Sequence, residues 1–182
     1  AEFRNGLVLE MDNWLWTIVY FQHVKPGKGG AFVRTKLKNV LSGKVVERTF
    51  RGSESVTTVR LLRRPVSYSY TDGHLYHFMD QETFEMIPIS GDLIGEDQLK
   101  YLKENMECEG LVHDDNVIAV ELPDFVELEV TRTDPGFKGD TAQGGSKPAT
   151  LETGAEIQVP LFVEQGDVVR VDRREDKYLE RV

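Results

Sequence analysis

One lysine in this sequence stands out as a candidate for chemistry, because glycine and proline residues surround it. Residues 25–31 read Lys-Pro-Gly-Lys-Gly-Gly-Ala and place Lys28 at the centre. Glycine readily adopts φ > 0 and proline fixes its own φ, so the segment predicts a tight, exposed turn. An ammonium group on such a turn stays solvated and charged, whereas a Schiff-base lysine needs an amine shielded from water. We therefore expect Lys28 to be a positioned cation, with an ordinary surface lysine as the alternative.

Two runs of alternating residues flank this turn and predict a β-hairpin that carries Lys28 at its apex. The incoming strand, residues 14–24, alternates through Trp16, Ile18 and Tyr20. The outgoing strand, residues 31–39, has an apolar face and a cationic face. The apolar face holds Val33, Thr35 and Leu37, and the cationic face holds Arg34, Lys36 and Lys38. The sequence therefore predicts an extended arm with a cationic face and a cationic tip.

Charge is unevenly distributed along the 182 residues. Residues 1–60 contain ten Lys or Arg and five Asp or Glu, a net charge of +5. Residues 61–124 contain four and fourteen, a net charge of −10, and residues 125–182 contain eight and twelve, a net charge of −4. A basic segment on an acidic protein orients the molecule near a polyanion. The first third is thus the candidate RNA-binding face, and the acids of the middle third are expected to be solvated.

Residue patterns typical of an enzyme or of a metal site are missing from the sequence. Its four histidines, His23, His74, His77 and His113, lack the spacing of metal ligands, and Cys108 has no cysteine partner. Residues 139–147 are glycine-rich, but a phosphate-binding P-loop needs Lys directly after its second glycine. We expect neither an enzyme nor a bound metal or cofactor. No apolar run reaches the roughly 20 residues of a membrane helix, so a cytoplasmic protein that does not bind a membrane is expected.

Turn signals and changes in charge divide the chain into three expected domains, at residues 1–60, 61–124 and 125–182. The first domain is predicted to contain five strands, over residues 6–11, 14–24, 31–39, 44–51 and 56–60. The second is predicted to contain strands over residues 66–71, 74–79, 107–113 and 116–122, with a helix over 95–106. The third is predicted to contain strands over residues 125–133, 156–163, 167–172 and 177–182. Short strands at this spacing favour an all-β fold of three small barrels, the second with the pattern of an OB-fold.

A long segment, residues 134–154, has no predicted strand. It contains five glycines and two prolines, and a loop of that length in a small barrel is expected to be functional or disordered. Its small residues permit close approach of a partner's backbone, and its lysines are available for phosphates. An ordinary surface loop is the alternative.

Three motifs together resemble a known family. Residues 25–31, the run Gly-Asp-Thr-Ala-Gln-Gly-Gly-Ser-Lys-Pro-Ala-Thr-Leu-Glu-Thr-Gly at 139–154, and Val-Pro-Leu-Phe-Val at 159–163 resemble bacterial translation elongation factor P. The resemblance is collinear along nearly the whole chain. It implies an L-shaped, tRNA-like arrangement of three β-barrels, the first SH3-like (KOW-type) and the second and third OB-folds.

The resemblance also implies a function. In that family the lysine at the tip, here Lys28, receives a post-translational extension, and the protein binds the ribosome between the peptidyl and exit sites. There it speeds peptide-bond formation at consecutive prolines, while the ribosome itself performs the chemistry. The implied partners are the ribosome, peptidyl-tRNA, ribosomal RNA and a lysine-modifying enzyme, with the protein acting as a monomer. A lysine tip favours a lysine-type or aminoalcohol extension, since members with Arg at the tip receive a sugar.

The resemblance and the charge pattern together indicate which residues bind RNA. The expected tRNA- and ribosome-binding residues are Lys25, Pro26, Gly27, Gly29, Gly30, Arg34, Lys36, Lys38, Asp140, Thr141, Gly144, Gly145 and Lys147. A second hypothesis is an OB-type module that binds nucleic acid or oligosaccharide away from the ribosome. It requires exposed aromatic residues for stacking, and only Tyr68, Tyr70 and Tyr76 are candidates. They lie in the acidic third, which repels phosphates.

Overall fold

A computed structural model describes residues 2–136 and 145–182, and nearly all of its regular structure is β. The strands of residues 2–64 form one sheet in the order β4-β3-β2-β1-β5. Their bounds are β1 Val8–Met11, β2 Trp14–Val24, β3 Phe32–Asn39, β4 Val45–Arg51 and β5 Thr57–Val59. The five predicted strands are thus confirmed to within two residues at most ends. Leu7, Leu9, Ile18, Leu37 and Phe50 form the buried core of this sheet.

A register shift in β2 corrects one detail of the predicted hairpin. Ile18 pairs with Leu37, but the next pair is Tyr20 with Lys36, so Val19 is an extra residue in a β-bulge. Because one inserted residue moves the following side chains to the opposite face, Tyr20 is exposed instead of sharing the face of the buried Ile18. Phe21 takes the inward position and packs against the core in its place.

The second sheet has the order β10-β9-β6-β7-β8. Its strands are β6 Leu62–Thr71, β7 Leu75–Asp80, β8 Met86–Ser90, β9 Glu107–His113 and β10 Asn116–Glu121. The single predicted helix over residues 95–106 is wrong. Only one turn of helix, α2 Glu96–Leu99, forms in this region, and another one-turn helix, α1 Gly91–Ile94, precedes it. Gly95 separates them with a φ of 88°, and beyond α2 the amides bond carbonyls three residues back, as in tighter turns.

The third set of strands closes into a barrel in the order β11-β12-β13-β15-β14. The strands are β11 Phe125–Thr133, β12 Ser146–Leu151, β13 Glu156–Pro160, β14 Val168–Asp172 and β15 Lys177–Arg181. β12 lies inside the segment 134–154 that was predicted to have no strand, and this prediction is therefore wrong. The barrel closes between β13 and β15 through one parallel pair, Gln158 with Lys177. Alternating residues such as Val126, Leu128 and Val130 are buried and fill the interior.

The chain folds into two compact units. One holds residues 1–64 and 110–119, and the other holds residues 65–109 and 120–182. Within the second unit, hydrogen bonds join the region after α2 to the closed barrel. The buried Tyr101 hydroxyl donates to Asp176 at 2.6 Å, and Thr153 Oγ1 donates to the Lys100 carbonyl at 2.5 Å. These two units do not test the predicted domain boundaries at residues 60 and 124, which therefore remain predictions. In the described parts of the chain, no helix is long and apolar enough to span a membrane.

Candidate functional site at the hairpin tip

The β2–β3 hairpin presents the predicted lysine at its apex. The last paired residues are Val24 and Phe32, and every residue from 25 to 31 between them is exposed. Among the residues that the structure describes, Lys28 has no hydrogen-bond or ion-pair partner. Of the three glycines expected to supply φ > 0, only Gly29 does so, at 100°. The backbone at Gly29 therefore turns the chain, and the Lys28 ammonium is accessible to a partner.

The cationic face of β3 is confirmed. Thr35 and Leu37 are buried, and the residues that alternate with them, Arg34, Lys36 and Lys38, are exposed. Two of these cations lie over aromatic rings on the same face. Arg34 Cζ is 5.6 Å from the centre of the Phe32 ring, and Lys36 Nζ is 5.8 Å from that of Tyr20. The bulge at Val19 brings Tyr20 to this face, so it supplies part of the support for the cations.

A cavity of about 530 Å³ lies at the base of the tip, in the first compact unit. It is lined by Phe3, His23, Val24, Lys25, Ala31, Phe32, Val33, Phe50, Arg51, Gly52, Glu54, Ser55 and Val56. Three phenylalanine rings, those of Phe3, Phe32 and Phe50, make part of its lining apolar, and Lys25 and Arg51 add positive charge. The Glu54 carboxylate accepts from the Arg51 backbone N–H and pairs with Arg48 at 3.3 Å. No pattern in the sequence indicates this cavity, because it joins residues that are distant along the chain.

The second group of predicted RNA-binding residues is described only in part. Asp140, Thr141 and Gly144 lie outside the described residues. Gly145 lines a cleft of about 720 Å³ in the closed barrel, beside the exposed Phe162 and the half-buried Tyr178. It belongs to the second compact unit, whereas the hairpin tip belongs to the first.

Lys147 is placed differently from the expected phosphate-binding cation. Its side chain is buried, with 7% of the residue exposed, and its ammonium donates to the Asp134 carbonyl at 2.5 Å. The cause is its position in β12, where it shares the inward face with Ala149 and Leu151. Asp134 follows β11 and Lys147 lies in β12, so this bond ties together the two ends of the chain segment between those strands.

In the described ranges, no group of three or more His, Cys, Asp or Glu residues is arranged to hold a metal ion. His77 stacks on Tyr70 at 4.4 Å and contacts Asp72 at 3.2 Å. Hydrogen bonds hold the pKa of the Asp72 carboxyl far below its usual range. The largest contributions come from the backbone N–H groups of Leu75 and His74, and the His77 ring contributes less. Burial raises the pKa of the Cys108 thiol to about 12, so this thiol stays protonated. It therefore behaves as a small buried hydrophobic residue.

The tyrosines required by the alternative binding module do not form an exposed row. Tyr68 is 9% exposed, Tyr76 is half-buried and only Tyr70 is exposed. Tyr68 and Tyr76 face the interior side of their sheet, where Tyr68 packs on Phe78 at 5.4 Å. A stacking surface made of these three residues is therefore not present.

Three family models match the chain in succession. They are described as the elongation factor P KOW-like domain over residues 1–56, the elongation factor P OB domain over 61–120 and elongation factor P, C-terminal, over 126–181. Among solved structures, the eukaryotic translation initiation factor 5A from Methanococcus jannaschii is similar, with a TM-score of 0.52 and 23% identity. That match covers 67% of this chain and 87% of the other, and it supports the fold alone.

Full-length relatives carry the same family name. The elongation factor P of Acetivibrio thermocellus is 53% identical over 182 residues, which is all of this chain and 98% of that protein. The elongation factor P of Rhodococcus erythropolis is 56% identical over all of this chain and 97% of that protein. With models that match successive parts of the chain and relatives of this similarity, the chain belongs to the elongation factor P family of translation elongation factors.

Proposed function

We propose that this chain binds the ribosome between the peptidyl and exit sites and promotes peptide-bond formation at consecutive prolines through a modified Lys28. The observation that supports this most directly is the exposed lysine at the apex of the β2–β3 hairpin. From Tyr20 to Val24, five residues lie between the bulge and the tip and span roughly 16 Å at about 3.3 Å each, and β3 pairs with β4 along this length. An extension on the Lys28 amine carries its charge further from the sheet.

Positioning is sufficient for the proposed effect, so the protein needs no catalytic group of its own. Proline is a conformationally constrained nucleophile, and the ribosome already holds both substrates. Fixing reacting groups in a productive geometry is worth up to about 7–11 kcal/mol in well-oriented intramolecular reactions. Only a small part of that is needed to relieve a slow step. The modified Lys28 orders the acceptor end of the peptidyl-tRNA, and the ribosome forms the bond.

The cationic face of β3 supplies affinity for RNA in this proposal. Arg34, Lys36 and Lys38 are exposed side by side, and each phosphate that they bind releases counterions. Replacing all three with Gln should weaken ribosome binding and flatten its salt dependence by about 0.7–0.9 in slope for each phosphate that is no longer neutralised. Replacing three exposed acids of the middle third, Glu104, Glu107 and Asp115, with their amides is the matched control. Equal losses of affinity from both sets would show that the basic face is not the RNA-binding face.

The tip is tested by mass and by activity. Protein from its native host should carry added mass that peptide mapping localises to Lys28, and recombinant protein made without a lysine-modifying enzyme should not. Translation of a reporter with and without a proline run then measures function. Lys28→Met should lose the effect on the proline run only, whereas Lys44→Met, which changes another exposed lysine of the same domain, should retain it. A native protein that is unmodified at Lys28 and fully active would refute the mechanism.

The proposal also includes three domains, at residues 1–60, 61–124 and 125–182, and a monomer that acts in the cytoplasm, where translation occurs. The RNA-binding roles of Pro26, Gly27 and Gly30 at the tip, and of Asp140, Thr141, Gly144 and Gly145 in the third domain, are part of the same proposal. Lys147 contributes differently, because its buried ammonium can hold the ends of the segment between β11 and β12 together but cannot bind a phosphate in this position.

A further inference from the structure

In the described parts of the chain, the sheet of residues 62–121 leaves apolar side chains exposed on its outer face. Inward residues such as Phe78 and Ile89 are buried, and alternate residues of β6, β7 and β8 point to the other side. The register makes that side continuous, because Met79 pairs with Met86, and His77 pairs with both Tyr70 and Pro88. The outer patch consists of Tyr70, His77, Met79, Phe84, Met86 and Pro88, with Phe84 in the turn between β7 and β8.

Several side chains of the outer patch are strongly exposed. Phe84 is 70% exposed, Tyr70 is 53% exposed and Met86 is 44% exposed. Scattered apolar residues are normal on a protein surface, but aromatic and methionine side chains paired across one sheet face, with a further exposed aromatic residue in the adjoining turn, are typical of a binding surface. The outer patch belongs wholly to the second compact unit.

Phe84 is also held in an unfavourable backbone conformation. Its φ is +62°, a left-handed value that bulky residues rarely adopt and that glycine or asparagine adopts readily. The turn does not depend on its side chain. Asp80 Oδ1 accepts from the Glu82 and Thr83 amides, and the Phe84 N–H donates to the Asp80 carbonyl at 2.8 Å. A left-handed φ costs stability in a bulky residue, and with 70% of Phe84 exposed its ring gains little from packing within the described residues.

The negative charge around the outer patch favours a basic protein over RNA as its partner. Residues 62–99, from β6 to α2, contain seven Asp or Glu and two Arg, a net charge of −5, so the patch lies in an acidic region. An RNA phosphate backbone is repelled there, and a protein with basic residues around an apolar centre is attracted. We propose that the outer patch docks a basic protein of the ribosome, with Phe84 as the principal residue of the interface. This inference rests on the proposed ribosome binding, and it assigns this domain a protein partner where the hairpin has an RNA partner.

Photocrosslinking identifies what the outer patch touches. The full chain carrying p-benzoylphenylalanine at position 84 is bound to purified ribosomes and irradiated, and the adduct is treated with nuclease or protease. The expected adduct is a small basic protein that survives nuclease and is lost on protease treatment. An adduct to RNA, an adduct to a second copy of this chain, or no adduct from ribosome-bound protein overturns the proposal.

Binding and melting measurements on the same variants distinguish docking from a structural role. Phe84→Gly and Met86→Ser should each weaken ribosome binding about tenfold without changing the slope of log affinity against log salt. Phe84→Gly should also melt about 2–4 °C higher, because glycine relieves the left-handed strain. Leu179→Ser, which removes a similarly exposed residue of the closed barrel, should leave affinity unchanged.

The outcomes also separate this inference from the proposed function. If the unaltered chain does not co-sediment with ribosomes, the proposed function fails and the docking proposal fails with it. If the unaltered chain co-sediments and both patch variants bind as tightly as it does, only the docking proposal fails. A lower melting temperature for Phe84→Gly would contradict the argument from strain.

Discussion

Replacing Gly136 with alanine should destabilise the closed barrel through a steric clash. Gly136 lies just after β11, where the chain passes against Leu161. A Cβ atom at Gly136 would lie 3.0 Å from Leu161 Cβ and 3.1 Å from its carbonyl carbon, with the carbonyl oxygen closer still. These atoms belong to the backbone or are attached directly to it, so no flexible side chain can move aside. The two segments must separate instead.

The size of the effect follows from this geometry. Adding one carbon to a closely packed site typically costs about 1–3 kcal/mol when the backbone has to shift. For a protein of this length each kcal/mol lowers the melting temperature by about 2–4 °C. We therefore expect Gly136→Ala to melt roughly 2–12 °C lower than the unaltered chain. Because the φ of Gly136 is not in the left-handed region, the loss comes from the clash alone.

Two other glycines supply matched controls for the thermal and chemical denaturation measurements. At Gly52 the nearest atom to an added Cβ is the Ala31 carbonyl oxygen at 3.8 Å, so Gly52→Ala should be nearly silent. At Gly154 nothing lies within 4 Å but φ is +91°, so Gly154→Ala should show the cost of strain without a clash, about 1–2 kcal/mol. Amide exchange at Leu161 should accelerate only in Gly136→Ala. If Gly136→Ala melts like Gly52→Ala, the close approach to Leu161 does not govern the stability of this barrel.

Three further predictions concern single side chains. Native Cys108 should resist iodoacetamide at pH 8 and react after denaturation, because burial raises its pKa to about 12, and labelling of the native state would contradict its burial. Tyr101→Phe should lower the free energy of unfolding by about 1.5–3 kcal/mol through loss of the hydrogen bond to the Asp176 carboxylate, and a melt unchanged from that of the unaltered chain would contradict this. Asp72→Asn should melt below the unaltered chain at neutral pH. Because the folded-state pKa of Asp72 is lowered, its contribution is present above the usual carboxyl pKa and is lost as pH falls through the folded value, so the two melting curves should converge in strong acid.

Much of the strand pattern could be predicted from the sequence, because alternation and turn residues are local signals. The turn at Asp12 and Asn13 is an example, since both residues have left-handed φ values of 54° and 65° that asparagine and aspartate tolerate. The bulge at Val19 could not be predicted in the same way. It is defined by the pairing of β2 with β3, and alternation within β2 alone does not show where one residue is unpaired.

For two wrong predictions, the missed strand β12 and the helix over residues 95–106, the sequence contains a contrary signal that other residues outweigh. Glycines and Pro148 favour a loop where β12 lies, yet Lys147, Ala149 and Leu151 alternate as an inward face does. Lysine is rarely buried, so its presence on that face weakens the apolar alternation that would indicate a strand. The predicted helix over residues 95–106 failed at its far end, because α2 ends at Leu99 and Asn105, a residue type that tolerates left-handed φ, has a φ of 67°.

In the candidate site, too, the features that depend on neighbouring residues could be predicted, and those that depend on tertiary packing could not. The exposed Lys28 turn and the cationic face of β3 depend on neighbouring residues and were predicted correctly. The cavity at the base of the tip depends on packing that brings Phe3 beside residues 50–56, and no local pattern encodes it. The burial of Lys147 against Asp134 is likewise a consequence of two strands meeting in a barrel.

Because of the bulge at Val19, the length of the hairpin and the direction in which it points can change independently of each other. The number of residues between the bulge and the tip determines the distance from the bulge to Lys28, because each residue adds about 3.3 Å to the strand. The bulge itself determines aim, since an extra residue bends the strand and increases its local twist. A change at Val19 would therefore point Lys28 in a new direction without altering the tip sequence or the length of the arm. Variation in direction can thus arise at a residue nine positions from Lys28, while everything recognised at the apex stays the same.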